Sequence, residues 1–238
     1  MPLPKIATPT YELELPSTGQ KIQYRPFLVK EEKVLVIALE SEDTKQITTA
    51  IKSVIKNCIK TRGIKVETLP TFDIEYLFLK IRTKSVGENV NVTITCTDDG
   101  ETEVDVQIPL EDIKVVKTKG HKSTLKLSDE VAVTMGYPSI ETFVAMNFDD
   151  GKSQVDQVFE MAATCVKTIS DAEQVYDCAD NTRDELMEFF EQLSSKQFMQ
   201  IQEFFETMPK LSHTITVTNP NTGVDNEIVL EGLASFFA

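Results

Sequence analysis

The sequence predicts an α+β fold, and three observations lead to it. Short stretches of strict apolar–polar alternation are closed by glycine-containing turns. Longer stretches repeat apolar residues at i, i+3 and i+4. The two kinds do not succeed one another regularly, as the strands and helices of a parallel α/β sheet would. With 238 residues, 41% hydrophobic and 26% charged, the chain can fill one sizeable core or two small ones, and it is too apolar for disorder.

Tyr11–Leu15 alternates, Pro16-Ser17-Thr18-Gly19 turns, and Lys21–Tyr24 returns, which gives an opening hairpin. Pro26 lacks a backbone donor and ends the strand or places it on an edge. Val34, Leu35, Ala38 and Leu39 then form one apolar patch at helical spacing. Ile47, Ile51, Val54, Ile55, Cys58 and Ile59 form a longer stripe ahead of Gly63. Pro70 suits the start of a third helix, with Phe72, Tyr76 and Leu79 facing inward. Val90–Cys96 and Val104–Ile108 flank Asp98-Asp99-Gly100, a strong hairpin signal. A strand or two is expected within Ile113–Lys126.

The second half reads as mostly helical. Ser139 follows Pro138 at the start of a short helix. Val155, Val158, Phe159, Ala162, Ala163 and Val166 define another, and Asn181-Thr182 caps a third that carries Leu186, Phe189, Phe190 and Leu193. After Ser194-Ser195, residues Phe198, Ile201, Phe204, Phe205 and Met208 define a fourth. The chain then writes Thr214-Ile215-Thr216-Val217, a turn at Gly223, and Glu227–Glu231. This echoes Thr93-Ile94-Thr95-Cys96, Gly100 and Val106–Glu111, as a degenerate internal repeat would. The expected organisation is a hairpin–helix–hairpin lobe over 1–125 and an acidic, mostly helical lobe over 126–238 that ends in a hairpin.

Charge is unevenly placed. The net charge of −14 falls almost wholly in the second half: residues 1–119 carry 17 basic and 18 acidic side chains, and 120–238 carry 7 and 20. Such a half repels nucleic acid and anionic membrane and suits either simple solubility or a basic protein partner. No stretch approaches the roughly 20 apolar residues of a spanning helix. The opening Met1–Lys5 has no apolar leader, so the chain is expected to stay in the cytoplasm where it is made.

Chemistry is hard to find. Cys58, Cys96, Cys165 and Cys178 lack paired spacing and read as free thiols. Cys96-Thr97-Asp98-Asp99-Gly100 has the outline of a zinc knuckle with one of its two thiols, and Val217-Thr218-Asn219-Pro220 has none, so no metal is expected. Cys178 lies among Asp177 and Asp180, which suppress thiolate. Neither His121 nor His213 sits in a supporting motif. Asp149-Asp150-Gly151 lacks the alternate oxygens of a calcium loop. No nucleotide-binding or nucleophile-elbow motif is present. No catalytic residue and no cofactor is expected; an enzyme with an unrecognised carboxylate pair is the remote alternative.

Tyr24-Arg25-Pro26-Phe27, Lys30-Glu31-Glu32-Lys33, Lys84-Ser85-Val86-Gly87 and the ending Gly232-Leu233-Ala234-Ser235-Phe236-Phe237 resemble the baseplate hub subunit family of T-even-type contractile-tailed bacteriophages. The resemblance implies a non-enzymatic tail protein that contacts other baseplate hub proteins, within the host cytoplasm during assembly and in the virion tail baseplate. A transient assembly chaperone that leaves the particle is the alternative it implies. Arg25, Phe27, Lys30 and Lys33 are candidate partner contacts, since Arg and aromatic side chains dominate interface energetics. The opposing reading is that Phe27 packs in its own core and the charges are solvated. Phe236 and Phe237 either tuck against the hairpin or insert into a partner groove.

Overall fold

The structure is a computed structural model that describes residues 6–142, 154–233 and 235. Asp149-Asp150-Gly151 and the pair Phe236 and Phe237 lie outside the described residues. Helices and small antiparallel sheets make up the fold, so the class is α+β. Two compact units form, Met1–Val116 with Lys210–Ala238, and Lys117–Pro209.

In the first unit, strands β1 (Tyr11–Glu14) and β2 (Lys21–Tyr24) pair as the opening hairpin, Tyr11 against Tyr24 and Glu14 against Lys21. Helix α1 spans Val29–Glu40. Helix α2 spans Thr44–Cys58 and is capped by Asp43, which accepts from the amides of Lys45 and Gln46. Helix α3 spans Thr71–Thr83, directly after Pro70. Its buried Asp73 reaches back to the first hairpin tip, where it accepts from the amide (3.0 Å) and hydroxyl of Ser17.

Strands β3 (Asn89–Thr95) and β4 (Glu103–Pro109) form the second hairpin. Strand β5 (Lys114–Val116) follows, and after the second unit the chain returns as β10 (Lys210–Thr218) and β11 (Asp225–Glu231). These three make a sheet of order β11-β10-β5, with Lys210 paired to Val116. The second unit is therefore an insertion whose two chain crossings are partners on one ladder. Val90, Val92, Ile94 and Ile108 of one hairpin share a core with Leu211, Val217 and Leu230 of the other, and Leu79 of α3 joins them.

This division differs from 1–125 and 126–238. The echoing hairpins do not sit one to each lobe; they pack together in a single unit. Each has an apolar face of the same period, and each buries it against the other.

The second unit contains more strand than its sequence suggested. Strands β6 (Thr124–Lys126), β7 (Ala132–Met135), β8 (Val166–Ser170) and β9 (Val175–Asp177) form an antiparallel sheet in that order. They are short, and β8 starts at Val166 with no breaker after helix α4 (Gln154–Cys165), so the helical period hid it. Helices α5 (Arg183–Glu191) and α6 (Ser195–Thr207) open with capping boxes, Thr182 with Glu185 and Ser194 with Gln197. Phe190, Ile201 and Phe204 lie in the core of the unit with Val133 and Met135. The helix expected after Pro138 begins at Ile140, with Ser139 accepting from the amide of Thr142. Residues 143–153 lie outside the described residues.

Candidate docking face on the first helix

The four sequence runs that carry the resemblance do different jobs, and two of them meet at one joint. Strand β2 does not stop cleanly at Tyr24. Its end is held by α2, because the Arg25 amide donates to the Cys58 carbonyl (3.0 Å) and the Lys60 amide to the Gln23 carbonyl (2.8 Å). Pro26 then turns the chain, and the Phe27 amide donates to the Ser85 hydroxyl (2.9 Å), which itself donates to Ile81 at the end of α3. Tyr24-Arg25-Pro26-Phe27 and Lys84-Ser85-Val86-Gly87 thus form a joint between the first hairpin and the ends of α2 and α3.

Arg25 and Glu31 fix the start of α1 against that joint. The Arg25 guanidinium donates to Glu31 Oε1 (2.9 Å) and to the Pro26 carbonyl (2.8 Å), and Glu31 accepts from the Leu28 amide at the helix N-terminus (2.8 Å). Glu31 is only 2% exposed. Burial acts to raise its carboxyl, and the bonds from Arg25 and Leu28 outweigh it, so the group is held below the usual carboxylate range. The bond from Glu31 raises Arg25. Both are charged at neutral pH, as a buried pair must be.

That arrangement decides where the four sequence candidates of this region point. Phe27 is 8% exposed and packs in its own core. Arg25 is turned inward onto Glu31. Lys30 and Lys33 are exposed, Lys30 lying 3.3 Å from Glu31. Of the expected apolar patch, Ala38 is buried and Leu35 half-buried, but Val34 and Leu39 face outward. Glu31 and Ala38, with Leu35 beside them, hold the inward stripe, and the other apolar residues of α1 face outward.

The result is a helix whose outer aliphatic side chains are exposed. Val29 is 79% exposed, Ile37 55% and Leu39 53%, with Val34 and Val36 close behind. Lys33 and Glu40 lie among them. Five exposed aliphatic side chains on one helix, interleaved with Lys33 and Glu40, make a candidate interaction surface. The signal was present in the sequence as Val34-Leu35-Val36-Ile37, a run that no single helical face can bury. Residues 29–65 also carry eight basic against five acidic side chains, in a chain of net charge −14.

Chemistry has less to offer. All four cysteines are free and buried, and burial pushes the Cys165 thiol up to about 12 and the Cys58 thiol to about 11. Among the described residues, no group of three or more His, Cys, Asp and Glu is placed to hold a metal ion, and no helix is long and apolar enough to cross a membrane.

The profile of the T4 bacteriophage base plate protein family matches residues 8–238, and the chain belongs to that family: it is a baseplate protein of a T4-type phage. No curated protein and no solved structure matches it.

Proposed function

We propose that this protein is a baseplate hub subunit that acts without catalysis, and that the outer face of α1 docks on another baseplate protein. The exposed apolar surface of Val29, Val36, Ile37 and Leu39 carries the reading. The partner that fits is an apolar helix groove with an acidic rim, which would meet Lys30, Lys33 and the basic residues of α2. Phe236 and Phe237 are a second candidate contact on sequence grounds.

The inserted unit favours one further role. Residues 117–209 carry eight basic against seventeen acidic side chains, a surface suited to masking a basic protein during assembly. On that reading the protein is a hub chaperone that leaves the particle. Mass spectrometry of purified virions, with an abundant tail protein as internal standard, separates the two roles. A fixed small copy number supports the subunit, and absence from virions with abundance in assembly intermediates supports the chaperone.

Docking is tested by replacing Val36 and Ile37 together with Asp. The variant should keep the parent's circular dichroism and thermal midpoint while losing co-purification with hub intermediates from infected cells. Retained co-purification would remove α1 as the docking face.

A further inference from the structure

We propose that the paired tips of the β3–β4 and β10–β11 hairpins are a metal-free form of a two-knuckle zinc clasp. Cys96, Asp99, Asn219 and Thr222 stand at the four ligand positions, and side-chain hydrogen bonds make the joint that an ion would otherwise make.

The two turns are built alike. In Cys96-Thr97-Asp98-Asp99-Gly100 the glycine amide donates to the Cys96 carbonyl (2.9 Å), and in Asn219-Pro220-Asn221-Thr222-Gly223 it donates to the Asn219 carbonyl (2.8 Å). The first residue of each turn closes the hairpin through its own amide, to Thr102 (2.8 Å) and Val224 (2.9 Å). Gly100 and Gly223 both sit in the left-handed region, at φ 71° and 72°. Each turn therefore places its first and fourth residues before a glycine, which is where a knuckle carries two thiolates separated by two residues.

The same turn occurs at Leu15–Gly19, with its glycine amide donating to the Leu15 carbonyl (2.8 Å). What sets the other two apart is that they face one another and their side chains join across 120 residues of sequence. Asn219, fully buried, donates through Nδ2 to Asp99 Oδ2 (2.9 Å) and to Asp98 Oδ1 (3.0 Å) and Oδ2 (3.2 Å). Its Oδ1 accepts from the amides of Asn221 (2.8 Å) and Thr222 (3.3 Å). Thr222 Oγ1 donates to Asp98 Oδ2 (2.5 Å) and Asn221 Nδ2 to Thr102 Oγ1 (2.9 Å).

The buried Asn226 completes the joint. Its Oδ1 accepts from the Thr97 amide (2.9 Å) and hydroxyl (2.8 Å) and from the Asp98 amide (3.0 Å), and its Nδ2 donates to Asp98 Oδ1 (3.0 Å). Two ligand positions on opposite tips, Asp99 and Asn219, are thus in direct contact, and a third, Cys96, is fully buried beside them in sequence. Only one thiol is present, too few for a structural zinc. The joint needs none, because the carboxamides and carboxylates satisfy one another.

The test restores the missing ligands in the full chain. Asp99→Cys, Asn219→Cys and Thr222→Cys, with Cys96 in place, should bind one cobalt(II) per chain with the intense visible bands of tetrahedral thiolate coordination. Zinc should displace the cobalt, with a Kd of about 0.05 µM or below, the weak end for such sites, and should raise the thermal midpoint. The parent chain should carry no stoichiometric zinc by elemental analysis and should keep its midpoint in chelator. If the triple variant fails to fold without metal, recovery of the parent's circular dichroism on adding zinc supports the clasp. The milder pair Asp99→Cys and Asn219→Cys keeps Thr222 and Asn226 in place and offers three thiols, so it decides the case where the triple variant is lost. Absence of cobalt–thiolate bands in both variants, or one zinc per parent chain, overturns the proposal.

Discussion

Glu75 offers a prediction whose size follows from its surroundings. It lies on α3 beneath the segment that follows β11, where Leu233 donates its amide to Oε1 (3.2 Å) and a side chain at Gly232 would crowd the same oxygen at 3.2 Å. Burial pushes its carboxyl from 4.5 up to about 7, against a smaller lowering from the Leu233 amide. Below its ordinary value the group is protonated in folded and unfolded chains alike. Between 4.5 and about 7 the folded chain holds a proton that the unfolded chain gives up, so stability falls as pH rises through that window. The full shift corresponds to about 3 kcal/mol at alkaline pH. Glu75 is only partly buried in the structure, which brings the expected effect to roughly 1–2 kcal/mol after screening.

Glu75→Gln keeps the acceptor for Leu233 and removes the titration. The variant should match the parent near pH 5 and exceed it at pH 8 by roughly 1–2 kcal/mol, about 3–6 °C in Tm for a protein of this size. Urea or thermal unfolding of both chains across pH 5–8 measures the difference, and subtraction removes the other carboxylates. The reasoning is refuted if the two chains differ by the same amount at both ends of the range, because that amount would then reflect packing and not a charge forced into the fold.

Arg25→Ala should cost about 3–5 kcal/mol by leaving Glu31 charged and buried, whereas Arg25→Met with Glu31→Met should recover most of the loss in a urea-unfolding comparison. Asn226→Ala strands the amides of Thr97 and Asp98 and should lower stability by about 2 kcal/mol in the same assay. The carboxylates of Asp98 and Asp99 are held low by hydrogen bonds from Asn219 and Thr222 and from Thr102, respectively. Their stabilising effect is therefore present above the ordinary aspartate range and lost as pH falls below it, so Asn219→Ala should flatten the acid limb of the Tm–pH profile. Gly223→Ala, at φ 72°, should cost about 1 kcal/mol by thermal melt.

Legibility tracked how locally each element is determined. The β3–β4 hairpin was readable because Asp-Asp-Gly and strict alternation agree, and α5 and α6 because Thr182 and Ser194 announce their caps. Strands β7, β8 and β9 were not, since three to five residues carry little periodicity and their pairing is tertiary. The echo between Val92–Gly100 and His213–Gly223 was visible, but whether such hairpins separate into lobes or pack together is decided by their apolar faces meeting, which no local pattern states. At the candidate site the sequence drew attention to Arg25 and Phe27, whose chemistry suits an interface, and the structure uses both internally. The exposed face lay a few residues on, in a run of aliphatics that read as core because nothing in the sequence showed Glu31 taking the inward position.

Glu31 also explains why that face stays outward. To turn Val36 and Ile37 toward the core, α1 would have to rotate, which would carry Glu31 away from Arg25 and from the Leu28 amide. Two charges and an amide would then need new partners, at a cost of several kcal/mol. Burying two aliphatic side chains returns a comparable amount, and only if the neighbouring core has room for them. The Arg25–Glu31 pair therefore acts as a stop that keeps the aliphatic side chains of α1 turned outward. On the docking proposal, the net −9 of residues 117–209 would oppose self-association through that face by like-charge repulsion between copies.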